Sequence, residues 1–190
     1  MKHLFFATLL IILSVLFRTV WHLGANIEFV TTATLLASWY LGSRWAFAVS
    51  FTSIVVSDFF LGNSTIYLFT WSAFLLIAGI GTGAKYALRF ERLGFVGKLV
   101  GGVGTGMVSG VFFYLFTNFG VWYLDGWNMY TNDLAGIMKA YLMGLPFLRY
   151  TLMGTIGFMT VSIIGIESAR ALAERFALSK FLVAYRKTNT

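Results

Sequence analysis

Two carboxylates, Glu28 and Asp58, are the side chains of this 190-residue chain best placed to do chemistry. They bracket two apolar segments, within the stretch 26–62, that are joined by a tight Leu-Gly-Ser-Arg turn at 41–44. A carboxylate inside an apolar span costs about 3 kcal/mol on insertion scales unless it meets a partner or a wet cavity. Because the stretch runs out and back, both acids should lie near the same face of a membrane.

Other polar and aromatic residues fall at span ends on that face. A pocket with a few convergent polar groups in an apolar wall is the usual form of a ligand site. The plain alternative is that Asp58 pairs with Arg149 or Arg18 only to neutralise buried charge. Anchoring at the interface is the default role of the tryptophans, and stacking on a ligand is the alternative. The candidate ligand-binding residues are His22, Asn26, Glu28, Asp58, Asn118, Trp122, Trp127 and Arg149.

Signatures of catalysis are missing from the sequence. The chain has two histidines, no cysteine, and no His-Glu-x-x-His, Ser-x-x-Lys or Gly-x-Ser-x-Gly motif. Glu28 and Asp58 have the chemistry of an acid–base pair, but nothing indicates a substrate bond. We therefore expect no enzyme, no cofactor and no metal site.

Composition places the chain among membrane proteins. Hydrophobic residues make up 58% of it, charged residues only 11%, and the mean hydropathy is +0.80. The net charge of +7 invites a nucleic-acid interpretation. The basic residues flank apolar spans instead, which is typical of a protein in a lipid bilayer, so no nucleic-acid partner is expected.

Hydropathy predicts an all-α polytopic membrane protein with six transmembrane helices in residues 1–168 and a basic amphipathic cytoplasmic tail at 169–190. The second segment is short for a span, so it should be tilted or sheltered by its neighbours. A signal peptide is the competing interpretation of the first segment, but no small-x-small cleavage pattern follows it. The predicted spans are 4–20, 29–41, 45–61, 65–84, 99–119 and 149–165.

The segment 134–147 is apolar but short, contains Lys139 and reaches the only proline, Pro146. Its length cannot cross a bilayer core of about 30 Å, so we predict a re-entrant or surface helix. With six spans, 11 of the 14 basic residues lie on one side and 3 on the other. The positive-inside rule then places both termini in the cytoplasm.

Glycines recur at four-residue spacing in two predicted spans. Gly102, Gly106 and Gly110 do so in the fifth, and Gly79 and Gly83 in the fourth. Such faces let helix backbones approach closely in lipid. A phosphate-loop interpretation of 79–85 fails because no strand precedes it and the spacing is wrong.

Four segments resemble an uncharacterised family of bacterial membrane proteins. They are NIEFVTTATLLASWYLG (26–42), VVSDFFLG (55–62), FTNFGVW (116–122) and AYLMGLPFLRYTLMG (140–154). That family is itself similar to the substrate-binding S components of energy-coupling-factor (ECF) vitamin transporters. The matching positions are Asn26, Asp58, Asn118, Trp122 and Arg149.

The resemblance implies an S-component-like bundle that binds a vitamin or related micronutrient from outside. In ECF transporters the S component works with a transmembrane coupling subunit and two ATPases, and solitary relatives take up cobalamin. The chain departs from the pattern at Glu28-Phe29, where the family has Thr-Pro, and at Thr155, where it has Asp. The Ala-x-x-x-Ala docking spacing occurs at Ala33 and Ala37 rather than in the first span. No cysteine is present to ligate a cobalt centre, so His22 is the one candidate ligand in its place.

The alternative from a different class is an accessory subunit. Such a protein would pack against a larger membrane complex through its glycine faces and bind no solute of its own.

Overall fold

The computed structural model describes residues 2–21, 23–24, 26–62, 65–126 and 128–188, with side chains as far as residue 177. Over these residues the chain is helical and contains no strand, which confirms the predicted all-α class. The helices are α1 (Lys2–Thr19), α2 (Val30–Tyr40), α3 (Ser43–Leu61), α4 (Tyr67–Ala87), α5 (Phe95–Leu124) and α6 (Leu134–Thr188), with a short 3-10 helix at Phe90–Arg92.

Five of these helices are long and apolar enough to cross a membrane. They are α1, α3, α4, α5 and the portion Leu134–Ala177 of α6. The remaining predicted span corresponds to α2, whose 11 residues measure about 16 Å against a hydrocarbon core of about 30 Å. The structure therefore has the helices of a membrane protein, with five candidate spans rather than six.

Helix α2 lies at the centre of the bundle. It packs against each of the other five α-helices, and the ten residues from Val30 to Trp39 are all buried. A helix that is buried on every side must be apolar or small on every side. The sequence VTTATLLASWY meets this condition with three threonines, two alanines and a serine among its larger residues.

A tight turn at Gly42 reverses the chain between α2 and α3. Gly42 has a φ of 105°, which a residue with a Cβ rarely adopts. The amides of Leu41 and Gly42 both donate to the carbonyl of Ala37, at 3.0 and 2.9 Å. The turn makes α2 and α3 antiparallel, so that Glu28 and Asp58 meet at one end of the bundle. We call this the Asp58 end, and the opposite end, where Glu167 lies, the Glu167 end.

Helix α6 differs from the sequence prediction. A short helix at 134–147 was expected to stop at Pro146, but the structure has one helix of 55 residues through that position. Proline removes the amide that would bond to Leu142 and still occurs in spans whose neighbours satisfy the backbone. The Tyr114 hydroxyl of α5 donates to the Tyr141 carbonyl at 2.6 Å, one residue away from the opened turn. At about 82 Å, α6 is longer than a bilayer with its headgroups.

The glycines of α5 form the predicted close-packed seam, and their partner is α6. A Cβ added at Gly106 would lie 2.7 Å from Thr155 Cγ2, and one at Gly110 would lie 3.1 Å from Leu152 Cδ2. A Cβ at Gly102 would overlap Ile163. The other predicted pair is not packed within the described chain, since a Cβ at Gly79 or Gly83 meets nothing within 4 Å.

We predict that Gly102→Ala lowers the free energy of unfolding, because the added methyl group must displace Ile163 and Trp39. Overpacking of this kind costs about 1–3 kcal/mol. The matched control is Gly104→Ala on the same helix, where a Cβ meets nothing within 4 Å and alanine favours the helix. Thermal unfolding in detergent should show a lower midpoint for the first variant and an equal or higher one for the second. Equal midpoints for the two variants would contradict the seam.

Candidate functional site

A buried ion cluster holds the Asp58 end together, and Arg18 is its centre. Arg18 Nε lies 3.2 Å from Glu28 Oε2, and Arg18 Nη1 lies 2.8 Å from Asp58 Oδ1. The same Nη1 also donates to Ser57 Oγ at 2.8 Å. The Trp71 indole donates to Asp58 Oδ2 at 2.6 Å. The exposed fractions of the three charged side chains are 16% for Arg18, 19% for Glu28 and 8% for Asp58.

Each member of the cluster comes from a different place in the fold. Arg18 occupies the last turn of α1, where the helix dipole favours a cation. Glu28 precedes the first turn of α2, where the dipole favours an anion. Asp58 occupies the last turn of α3, where the dipole disfavours an acid, so it depends on partners. Gly62, with a φ of 79°, ends α3, and Trp71 then comes from α4 on the other side of the turn.

The cluster contains two carboxylates and one guanidinium, so it carries one excess negative charge when every group is ionised. Burial raises the pKa of Glu28 in the connection before α2, and nearby Asp58 raises it further, while Arg18 acts in the opposite direction. The excess charge is therefore most easily removed by protonating Glu28. Chemically, the arrangement ties the ends of α1 and α3 to the starts of α2 and α4.

A cavity of about 390 Å³ lies beside the cluster, between α5, α6 and the connections at the Asp58 end. We call it the Asn118 pocket. Its lining combines amides, a hydroxyl and aromatic rings, and none of its described lining residues carries a charge. The lining residues are Asn26, Ile66, Thr117, Asn118, Val121, Met129, Tyr130, Ala140, Met143, Gly144 and Phe147.

Asn118 takes its position in the pocket from its own helix and from a glycine on α6. Its Nδ2 donates to the Tyr114 carbonyl at 2.8 Å, one turn back along α5. The side-chain amide then fills the space that a side chain on Gly144 would occupy, because a Cβ there would overlap it. Across the pocket, Asn26 has a φ of 59°, a left-handed conformation that asparagine tolerates better than most residues.

The connection between α5 and α6 forms the outer wall of the pocket. The Asp125 carboxylate accepts from the amides of Met129 and Tyr130, at 2.8 and 3.1 Å. The Trp122 indole donates to the Thr131 carbonyl at 3.0 Å. Trp122 thus holds this wall in place and does not itself line the pocket.

The structure divides the residues predicted from the sequence into separate groups. Glu28 and Asp58 meet in the ion cluster, and Asn26 and Asn118 meet in the Asn118 pocket. Arg149 is exposed and has no ion pair among the described residues. Arg149 follows the pocket residue Phe147 by two positions on α6. At about 100° of rotation per residue, its side chain therefore lies on nearly the opposite side of the helix. The predicted residues His22 and Trp127 lie outside the described residues.

Sequence reasoning had no strong signal for several members of these groups. Arg18 is an alternative charge partner of Asp58 in the sequence analysis, and Trp71 lies inside a predicted span with no motif around it. Thr117 and Tyr130 also line the pocket but are not among the candidates from the sequence. Thr117 directly precedes the candidate Asn118, and Tyr130 follows Met129 in the connection before α6. In the part of the chain that the structure describes, no three His, Cys, Asp or Glu side chains come together as metal ligands would.

Comparison with known proteins gives one match. The model of a family of unknown function, DUF6580, matches residues 1–177. The chain belongs to the DUF6580 family. No curated protein and no solved structure matches it. The DUF6580 match includes the ion cluster, the Asn118 pocket and α6 as far as residue 177, so the site described above lies within the family region.

We predict that Arg18→Met destabilises this DUF6580 chain by about 3–5 kcal/mol, because it leaves two buried carboxylates without their shared cation. Asp58→Asn should cost less, about 1–3 kcal/mol, because Arg18 keeps Glu28 as a partner. The control is Arg149→Met, which removes an exposed guanidinium and should change stability by less than about 0.5 kcal/mol. Unfolding free energies in detergent check the order, and a loss on Arg149→Met equal to that on Arg18→Met would contradict the cluster.

The stability of the chain should depend on pH through Glu28. A carboxyl whose pKa is raised by folding contributes stability below its unfolded pKa, and that stability is lost as the pH rises through the folded pKa. Glu28→Gln should remove this loss. The midpoint of Glu28→Gln minus that of the natural chain should therefore grow from about pH 5 to about pH 8. A difference that shrinks over this interval would show that Glu28 is held as a carboxylate by Arg18.

Proposed function

We propose that this chain is a membrane solute-binding protein that takes a small polar or aromatic molecule into the Asn118 pocket for uptake. The observation that supports this is the convergence of Asn26 and Asn118 on one cavity of about 390 Å³, although 92 positions separate them in the sequence. Both residues belong to the segments that resemble the relatives of ECF S components. The volume falls near the lower end of the range for small-molecule sites.

The lining of the Asn118 pocket favours a neutral solute. Asn26 and Asn118 each offer amide donors and an acceptor, and Thr117 adds a hydroxyl. Tyr130 and Phe147 supply flat apolar surface, on which a heterocyclic ring can stack. None of the described lining residues carries a charge, and Asp125 and Lys139, which contact the outer wall, already bond to its main chain. A charged solute would therefore meet no counter-charge in the lining itself. A vitamin-like heterocycle with amide or hydroxyl groups meets these conditions.

The distribution of basic residues between the two ends of the bundle supports an orientation in the membrane that is suited to uptake. The Glu167 end carries the arginines and lysines of the connection between α4 and α5, together with Lys98 and Arg170, and the positive-inside rule assigns such an end to the cytoplasm. Both termini are then cytoplasmic in a bacterial inner membrane, and the Asn118 pocket opens outward. In this arrangement α2 is a sixth, shortened pass, which is possible because neighbouring helices surround it.

Energy for uptake would come from partners, since the sequence has no nucleotide-binding motif. A transmembrane coupling subunit with ATPases is the partner that the resemblance implies. Its docking surface would not be Ala33 and Ala37, because both are completely buried in α2. Gly79 and Gly83 on α4 are exposed and open, and they offer a face with the small-x-x-x-small spacing that helices use to associate in lipid.

The same open glycine face favours a second candidate function. An accessory subunit of a larger membrane complex would use Gly79 and Gly83 to contact its partner and would bind no solute. The two proposals differ in what Asn118 does. In the first it contacts a ligand, and in the second it only packs α5 against Gly144 on α6.

We predict that the natural chain, purified from its membrane in mild detergent, retains a small molecule that is detected by native mass spectrometry. Asn118→Leu should remove it, because leucine has nearly the same size and branching as asparagine but no amide to bond the solute. Arg149→Leu is the control, since this exposed residue lies on the other side of α6 and its substitution should leave the bound molecule in place. The sequence-based expectation for Arg149 was the opposite, so this pair of variants distinguishes the two.

The outcome also separates the two proposed functions. Loss of the ligand in Asn118→Leu, with unchanged thermal unfolding, supports solute binding. No ligand in any variant, together with a protein partner that Gly79→Leu or Gly83→Leu releases, supports the accessory subunit instead.

A further inference from the structure

A pair of adjoining clefts lies at the Glu167 end, away from the Asn118 pocket. Their volumes are about 350 and 290 Å³, and they share Lys85, Phe90 and Glu91. The walls come from the end of α2, from α4, α5 and α6, and from the 3-10 helix. We call the pair the basic cleft. Neither the proposed solute site nor the sequence resemblance assigns a role to it.

The basic cleft has more positive charge than the protein neutralises. Five cations line it, namely Lys85, Arg89, Arg92, Lys98 and Arg170, against the two carboxylates Glu91 and Glu167. The net charge of the cleft is therefore three positive when all of these groups are ionised. Such a surplus of charge attracts anions.

Three of the five cations already have protein partners. Lys98 Nζ lies 2.7 Å from Glu167 Oε2, and Arg170 Nη1 lies 3.5 Å from Glu167 Oε1. The Tyr40 hydroxyl donates to the same carboxylate at 2.9 Å, so Glu167 has little capacity left to pair with another cation. Lys85 Nζ lies 3.0 Å from Glu91 Oε1.

Arg89 and Arg92 are the cations left over. Both are exposed, and neither guanidinium has an ion pair or a hydrogen bond among the described residues. They sit on either side of the Phe90–Glu91 pair and line the same cleft, so their ten N–H donors are available to one anion. Guanidinium groups match the oxygens of a phosphate better than ammonium groups do, because they bind in a fork.

The surface around the cleft is apolar and exposed. Tyr86 is 73% exposed and Val96 is 68% exposed, with Leu88 and Phe95 beside them. These residues end α4 and begin α5, where two candidate membrane spans meet the connection between them. An anion that binds here therefore also meets a surface that acyl chains cover favourably. A soluble phosphate would leave that surface exposed.

We propose that the basic cleft binds the phosphodiester headgroup of an anionic phospholipid, with Arg89 and Arg92 on the phosphate and the acyl chains against Tyr86 and Val96. Basic clefts between membrane helices on the cytoplasmic side are the setting in which such headgroups bind. The lipid would join α4 to α5 at the Glu167 end, where the short 3-10 helix is the only covalent connection between them in the described chain.

The experiment is a titration of delipidated protein with short-chain phosphatidylglycerol or phosphatidylcholine, followed by native mass spectrometry. The natural chain should bind phosphatidylglycerol in preference to phosphatidylcholine. The double variant Arg89→Asn with Arg92→Gln should weaken phosphatidylglycerol binding about 30-fold, from the contribution of two arginines near a membrane surface. Asparagine is chosen at position 89 because Arg89 has a left-handed φ of 50°.

The matched control is the double variant Arg44→Ala with Arg175→Ala. It removes the same charge from exposed positions that do not line the cleft, so it should retain phosphatidylglycerol. If the first double variant fails to fold, Arg92→Gln alone should still weaken binding, and Arg92→Lys should restore part of it.

Three outcomes would overturn the proposal. Equal affinity for the two lipids would mean that the charge of the headgroup is not recognised. Equal loss in both double variants would mean that the net charge of the protein, and not the cleft, attracts the lipid. Displacement of phosphatidylglycerol by millimolar inorganic phosphate would identify a soluble phosphate site instead.

Discussion

The constraint on which the structure depends is the cost of charge inside an apolar bundle. Arg18 serves two carboxylates, Glu28 and Asp58, and the Trp71 indole completes the coordination of Asp58. Because one cation joins groups from α1, α3 and the start of α2, these segments cannot separate without exposing a charge to hydrocarbon. Few residues of the chain are charged, and the charged residues of this cluster hold the ends of helices together.

The same constraint explains why the Asn118 pocket is neutral. Glu28 and Asp58 are paired with Arg18, and Asp125 accepts from main-chain amides, so the polar groups of the described lining are amides and hydroxyls. Amide groups give directional hydrogen bonds without the desolvation penalty of an ion. The ion cluster stabilises the Asp58 end, and the uncharged pocket at the same end is the proposed recognition surface.

Local periodicity in the sequence was enough to predict the helices and their close-packed glycine face. It was less informative about how each helix is rotated around its own axis. Hydropathy and glycine spacing gave the all-α class and the seam at Gly102, Gly106 and Gly110, and the out-and-back stretch brought Glu28 and Asp58 together. Arg18 and Arg149 have similar predicted depth, so depth alone could not choose the partner of Asp58. Packing turns Arg149 outward, away from the pocket. Pro146 was expected to end a helix, but the contacts of α5 with α6 outweigh one lost hydrogen bond.

Helix α2 connects the two ends of the molecule physically. It begins beside Glu28, which is paired with Arg18, and it ends at Tyr40, whose hydroxyl donates to Glu167 at 2.9 Å. All ten residues from Val30 to Trp39 are buried, so the helix is packed on every side between these two contacts. Shifting α2 along its axis by more than the length of a hydrogen bond would break contacts in both charge networks. The position of α2 is therefore set at both of its ends, by Arg18 through Glu28 and by Tyr40 through Glu167.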